Sequence, residues 1–363
     1  MLEDQAYILE KILRLLEEEP PDAVLIAGDV YDKTVPSAEA VSMLDDFLCK
    51  LADKHLPTLV ISGNHDAPER LSFGARLMNH SGIHIAPVFN GSVEHVTLTD
   101  AYGPVNFYML PFLKSAHVQR FYPDISFESC SQAIQTVLKD MAVDPSRRNV
   151  LIAHQFVTGA VRSESEEISV GGAENIDADI FRDFDYVALG HIHKPQYMGS
   201  HHIRYCGTPL KYSFSEAEQQ KSLTQVTLKE KGNIFVEVKP LEPLRDFREI
   251  KGEYNLLVSR SFYQDSNRED YIHAILTDEQ DIPNVVGKLR AVYPRIMQVD
   301  YDNTRTRASG ALPELSEYRK KSPLDFFSDF YRAQNGADMS DEQRDFVLRL
   351  MEDIWETGKE AFV

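Results

Sequence analysis

Four short apolar runs in this sequence each end in residues that can hold a cation. Leu59-Val60-Ile61-Ser62 stops at Gly63 and delivers Asn64, His65 and Asp66. Ala23-Val24-Leu25-Ile26-Ala27 runs into Gly28-Asp29, Val150-Leu151-Ile152-Ala153 into His154, and Tyr186-Val187-Ala188-Leu189 into Gly190-His191-Ile192-His193. Runs of this length read as buried strands, and the carboxyl edge of an α/β sheet is where ligands bind. Asp29, Asn64, His154, His191 and His193 offer oxygen and nitrogen donors with no thiolate, a set that suits Mn²⁺, Fe²⁺ or Zn²⁺. A carboxylate can bridge two such ions, and two ions together can clamp an in-line phosphoryl displacement. His65 would face the phosphate, stabilising charge or protonating the leaving oxygen. Asp66 would orient His65 rather than bind metal. Taken singly, each signal has an ordinary reading. Gly-Asp is common in turns for backbone reasons, and alternate residues such as His191 and His193 face opposite ways on an extended segment. Four strand ends of the same kind are hard to explain as turns. His80, His84, His95 and the His201-His202 pair lack such a context and read as surface or loop histidines.

Positioning these groups requires a sheet with helical crossovers. Residues Met1–Glu19 carry Ile8, Ile12, Leu15 and Leu16 on one helical face, and Pro20-Pro21 ends the helix. Ser37 is placed to cap a second helix running to about His55, with Val41, Leu44, Phe47, Leu48 and Leu51 at helical spacing. A third is expected from about Pro68 to Asn79. Helices alternating with strands imply a mainly parallel sheet. Alternating strands follow at Ser92–Leu98 and Asn106–Leu110, then a helix over Phe127–Met141 and a polar loop at Arg162–Gly172 near the site. Late strands at Ile203–Cys206, Leu223–Thr227 and Ile234–Val238 suggest a second, antiparallel sheet. The expected fold is thus α/β, with two sheets packed between helices.

Beyond Pro240 the texture changes. We expect residues 1–240 to form the catalytic domain and 241–303 a small α/β cap with strands at Tyr271–Leu276 and Met297–Tyr301 around a helix at Asn284–Tyr293. Residues 304–322 read as a polar linker and 323–363 as a helical tail. In that tail Ser340 and Gln343 have capping-box spacing. A stripe of Phe346, Val347, Leu350, Met351, Ile354 and Trp355 follows them. The 363 residues include three scattered cysteines, Cys49, Cys130 and Cys206, which form neither a zinc spacing nor a disulfide framework. No long apolar run or leader is evident, so a cytoplasmic, membrane-free protein is expected. The formal net charge of −19 argues on its face against a polyanionic partner. A carboxylate-rich site that brings its own cations weakens that argument.

Gly28-Asp29, Gly63-Asn64-His65-Asp66, His154 and Gly190-His191-Ile192-His193 together resemble the calcineurin-like metallophosphoesterase pattern. The flanks Val30-Tyr31-Asp32, Ala188-Leu189, Lys194 and Arg204-Tyr205-Cys206-Gly207-Thr208-Pro209 narrow the likeness to the SbcD family of bacterial nuclease subunits, over residues 1 to about 240. The resemblance implies that Asp29 bridges two divalent ions, most simply Mn²⁺. Asn64, His154 and His191 would complete one site and His193 would belong to the other. It implies a 3′–5′ double-strand exonuclease and a single-strand or hairpin endonuclease in DNA repair, recombination and replication. It further implies a homodimer within a heterotetramer with the coiled-coil ATPase SbcC, the tail docking on that partner, and Arg70 near the DNA path. The family also has a first Asp-x-His motif, and none lies between Met1 and Asp29. An N-terminal truncation with weak or absent nuclease activity is therefore expected, an extended chain being the more active. A phosphoesterase for small phosphodiesters, or a non-catalytic scaffold for SbcC and DNA, are the alternatives.

Overall fold

The computed structural model describes residues 1–166, 174–309, 323–335 and 338–359. Met1–Arg248 and Glu249–Val363 form two separate compact units. In the first, β1 (Val24–Ala27), β2 (Thr58–Ile61) and β3 (Ile83–Ala86) make a parallel sheet. The second sheet contains β4 (Glu94–Asp100), β5 (Gly103–Leu110), β6 (Arg148–His154), β9 (Tyr186–Gly190), β10 (Gln196–Met198) and β11 (Ser200–Tyr205). Its order is β10-β11-β9-β6-β5-β4. β7 (Phe156–Val157) pairs with β8 (Asn175–Ile176), and β12 (Ser222–Leu228) with β13 (Ile234–Pro240).

Side-chain alternation assigns the layers. On β2, Leu59 and Ile61 face β5 and β6, meeting Val105, Phe107, Met109, Val150 and Ile152 in a core between the sheets. Val60 points the other way. It meets Ile8, Ile12, Leu13 and Leu16 of the Leu2–Glu18 helix and Phe47, Leu48 and Leu51 of the Ala38–Asp53 helix. Leu151, Val187 and Leu189 on the far face of the second sheet are covered by Ala133, Ile134 and Val137 of the Cys130–Asp140 helix. The result is a helix–sheet–sheet–helix sandwich, as the sequence pattern implies.

Several expectations need correction. The second sheet is parallel through β5, β6, β9 and β11, and only its edge strands β4 and β10 run antiparallel. The late strands β12 and β13 leave it and form their own hairpin. The helix expected from Pro68 breaks into Pro68–Leu71 and Ala75–Met78, because Gly74 takes φ +77°. Ser129 caps the Cys130–Asp140 helix, so Phe127 precedes it. Ser37 caps its helix through the Ala40 amide, and Ser340 and Gln343 exchange their two capping hydrogen bonds at 3.3 and 2.9 Å.

The second unit holds β14 (Phe247–Gly252), β15 (Tyr271–Leu276) and β16 (Ile296–Tyr301) in that order. Ile250, Ile272, Leu276, Leu289 and Tyr293 form its core. β14 was not anticipated, and Thr304–Ser309 is a helix rather than linker. The remaining linker, 310–322, and Gly171-Gly172 lie outside the described residues, as do the side chains of Ile354 and Trp355. Helices Pro323–Asn335 and Asp341–Lys359 end the chain's described part.

Candidate metal centre

Parallel pairing of β1 with β2 ends Ala27 beside Ile61, so the loops that follow are neighbours. Asp66 ties them together. Its carboxylate accepts from the amides of Gly63 at 2.8 Å, Tyr31 at 2.9 Å and Val30 at 3.1 Å. Burial pushes the Asp66 carboxyl up, and the three amides limit that rise. In the facing sheet β6 and β9 pair His154 with Gly190, so that sheet also ends at the same place. Backbone strain concentrates here. Gly28, Asp29 and His191 have φ of +87°, +49° and +100°, the latter two at non-glycine positions.

The atoms that converge all carry lone pairs. His154 Nδ1 lies 2.7 Å from the Ala27 carbonyl oxygen, which can only accept, so Nδ1 is the protonated nitrogen. That leaves Nε2 as the nitrogen turned toward the cluster and able to ligate a cation. It sits 3.0 Å from Asn64 Oδ1 and 3.2 Å from Asp29 Oδ2. His191 Nδ1 is 2.9 Å from the same Asn64 oxygen. Ligand atoms of Asp29, His154 and His191 all fall within 4.8 Å of one another. Burial, reinforced by nearby His154, lowers the His191 pKa to about 3, so its ring is neutral and its lone pair available. Burial alone would raise Asp29. The His154 contact and the His65 amide, 3.0 Å from Oδ1, outweigh it and hold the carboxyl at about 2. A carboxylate, an amide oxygen and two imidazoles therefore face one another across hydrogen-bond distances, a donor set that fits a divalent cation.

His193 stands apart from this cluster. Its Nδ1 donates to Ser165 Oγ at 2.9 Å and Glu216 Oε1 at 3.2 Å, which leaves Nε2 as the acceptor nitrogen. A carboxylate behind a ring nitrogen is the usual support for a ligating histidine. Glu216 is fully buried and paired at 2.6 Å with Lys221, itself 3% exposed in its side chain. Burial would raise Glu216, but His193 and Lys221 hold it at about 2. Burial works against the Lys221 charge and lowers its pKa. Four acceptors around Nζ (Glu216, the His193 carbonyl, Thr208 and Gln219) keep the proton there. Glu166 accepts the His193 amide. The sequence reading missed Ser165, Glu166, Glu216 and Lys221. They lie in polar stretches without periodicity, where nothing marks a residue as buried.

Asp29, His154 and His193 line one cavity of about 580 Å³ that continues along β1 past Ile8 and Met43. The His65 ring is oriented by the Asp32 carbonyl, 3.1 Å from Nδ1, and not by Asp66 as expected. Asp66 instead fixes the two loop backbones. Arg70 is exposed on the Pro68–Leu71 helix, outside the ligand cluster.

Residues 2–195 match the calcineurin-like phosphoesterase family, and residues 243–335 match a type 5 capsule protein repressor C-terminal domain. The chain is 32% identical over 362 residues to the SbcD subunit of the SbcCD nuclease of Staphylococcus saprophyticus subsp. saprophyticus, covering 99% of this chain and 94% of that protein. Among solved structures, TT1561 of Thermus thermophilus aligns at 15% identity and a TM-score of 0.38, over 66% of this chain and 95% of that one. With a phosphoesterase match over its first half and more, and a curated relative along nearly its whole length, the chain belongs to the calcineurin-like phosphoesterases, in the SbcD family of SbcCD nuclease subunits, and is a metal-dependent nuclease.

Proposed function

We propose that this chain hydrolyses DNA phosphodiesters as a 3′–5′ double-strand exonuclease and single-strand or hairpin endonuclease, using two divalent ions, Mn²⁺ in the first instance. The convergence of Asp29, Asn64, His154 and His191 lone pairs carries this reading. The chemistry the ions supply is Lewis acidity toward the phosphoryl group and toward water. Asn64, His154 and His191 would hold one ion, His193 the other, and Asp29 both. His65 does not need to bind metal. Its Nδ1–H is committed to the Asp32 carbonyl, which leaves Nε2 for the leaving oxygen; as imidazolium, the ring would give up the Nε2 proton and keep the Nδ1–H. Arg70, exposed just beyond this loop, would meet the strand's backbone.

Hairpin DNA should be cleaved with Mn²⁺, weakly because no Asp-x-His motif lies between Met1 and Asp29, and not with a chelator. Cleavage of a chromogenic phosphodiester but of no DNA would favour a small-substrate enzyme, and an inert chain with less than one ion bound would favour a scaffold. His65→Ala should lower kcat by roughly 10²- to 10⁴-fold, the usual contribution of a positioned acid. Its Mn²⁺ affinity, read by calorimetry, should not change. A variant that loses metal instead would show that His65 is a ligand.

We further propose that the chain acts with the ATPase SbcC, in the cytoplasm, as a homodimer. Phe330, Phe346 and Leu350 of the tail helices are 60%, 66% and 48% exposed, which supports a partner for that tail. Deleting residues after Ser322 should leave metal binding intact and abolish co-purification with SbcC; retained co-purification would place the contact elsewhere. Phe73 and Leu77, 84% and 76% exposed beside the His65 loop, support self-association. Leu77→Asp should shift the sedimenting species to monomer, and an unmoved dimer would exclude this face.

A further inference from the structure

We propose that Arg162 is a phosphate-binding residue of this nuclease, its guanidinium taking a backbone oxygen of the DNA strand at the rim of the metal centre. The inference rests on the nuclease reading above and deepens it.

Arg162 follows His154 by one short strand, β7. Its guanidinium carbon lies 3.6 Å from the centroid of the Phe156 ring. That ring is 8% exposed and in edge contact with His191, centroids 6.3 Å apart. Guanidinium, phenyl ring and imidazole thus form one packed group next to the cation site. Among the described residues Arg162 has no ion pair and no hydrogen bond, and its Nε is buried with no partner. Arg295 also has a buried Nε without a hydrogen bond, but it is ion-paired with Glu269, and two other arginines are fully engaged. Arg148 holds Asp100 and the Gly103 carbonyl, and Arg245 holds Glu3 and Asp4.

The Arg162 charge has no anion beside it among the described residues, and a buried donor such as its Nε without an acceptor calls for a reason. Neither Glu164 nor Glu166, two and four residues on, pairs with its guanidinium. Glu166 is engaged by the Ser163 and His193 amides. The Arg162 charge is also near enough to His191 to disfavour its protonation. A fixed guanidinium beside a site built for divalent cations is repulsive unless an anion lies between them. A phosphodiester supplies that anion, and the planar fork of arginine matches its two free oxygens. Stacking on Phe156 holds the fork in place before the strand arrives.

The test compares wild type with Arg162→Met, which keeps the apolar contact with Phe156, and Arg162→Lys, which keeps the charge. Binding of hairpin DNA is measured against salt concentration, with Mn²⁺ affinity and urea unfolding alongside. Loss of one phosphate contact should reduce the slope of log K against log salt by about one in the methionine variant. It should raise KM about 10-fold, with Mn²⁺ affinity unchanged and stability equal or higher. The lysine variant should keep the slope and lose part of the affinity. Equal slopes and equal KM in wild type and Arg162→Met would overturn the role of Arg162, whether or not DNA is cleaved. A wild-type chain that binds hairpin DNA and cleaves no phosphodiester would overturn the nuclease reading instead, and the slope comparison would still decide on Arg162.

Discussion

Alanine at Gly63 should lower divalent-cation affinity by about 100-fold or more and abolish DNA cleavage. A Cβ on Gly63 would fall inside Asp29, overlapping its Oδ1 and backbone nitrogen. Asp29 cannot retreat, because its Oδ2 faces His154 and its Oδ1 accepts the His65 amide. The Gly63 amide in turn is one of three that Asp66 draws together, so moving Gly63 also loosens the Gly28–Asp32 loop. One methyl group therefore displaces a ligand and its support at once. Losing outer support alone typically costs 10- to 100-fold in metal affinity, and a displaced carboxylate adds to that. Gly232→Ala is the control. Gly232, unlike Gly63, has a positive φ, of +82°, and nothing lies within 4 Å of its would-be Cβ. That variant should lose some stability and keep its metal. Mn²⁺ titration by calorimetry reads both, and wild-type affinity in Gly63→Ala would show that the loops are not held as tightly as their spacing implies.

The same close packing explains how much of the site was legible beforehand. Gly28, Gly63 and Gly190 each precede a donor residue because three strand ends from two sheets meet with no room for side chains. A Cβ at Gly190 would overlap the Ala27 carbonyl that fixes the His154 tautomer. The Gly-Asp, Gly-Asn-His-Asp and Gly-His words are thus local records of a tertiary contact. The layers were legible for a related reason. Leu59 and Ile61 face one core while Val60 faces another, and a strand buried on both sides reads as an unbroken apolar run.

What stayed hidden depends on partners distant in sequence. His193 draws its support from Ser165 and Glu216, 28 and 23 positions away. Neither has a periodic or motif context. Asp66 was expected to hold the His65 ring because the two are adjacent. The carboxylate points back to Val30 and Tyr31 instead, 36 and 35 positions earlier. The late strands were assigned to an antiparallel sheet from alternation alone. Alternation reports one buried face and says nothing of neighbour or direction. β11 joins β9 in parallel, and β12 turns away to pair with β13. The Pro68 helix reads as continuous until a single left-handed glycine is placed in it.

Leucine at Glu216 should destabilise the phosphoesterase unit by about 3–5 kcal/mol, the cost of stranding a buried charge. Glu216 has no exposure and Lys221 very little, so water cannot replace the lost carboxylate. Thr208, Gln219 and the His193 carbonyl would remain around Nζ, all neutral. The double variant Glu216→Leu/Lys221→Met removes both charges and should recover most of that stability, since a buried pair replaced by apolar groups of similar size is close to neutral. It should not recover the second cation proposed above at His193. Without Glu216 the His193 ring would keep Ser165 as its one hydrogen-bond partner among the described residues, beside its edge contact with Tyr212, so Nε2 would be aimed less well. Urea unfolding and Mn²⁺ stoichiometry should therefore move independently: low stability and a lost ion in the single variant, near-normal stability and the same lost ion in the double. If both variants kept two ions, Glu216 would be a packing device with no part in orienting His193. If the single variant were as stable as wild type, the Lys221 charge would have to be reaching water by a route its burial does not allow.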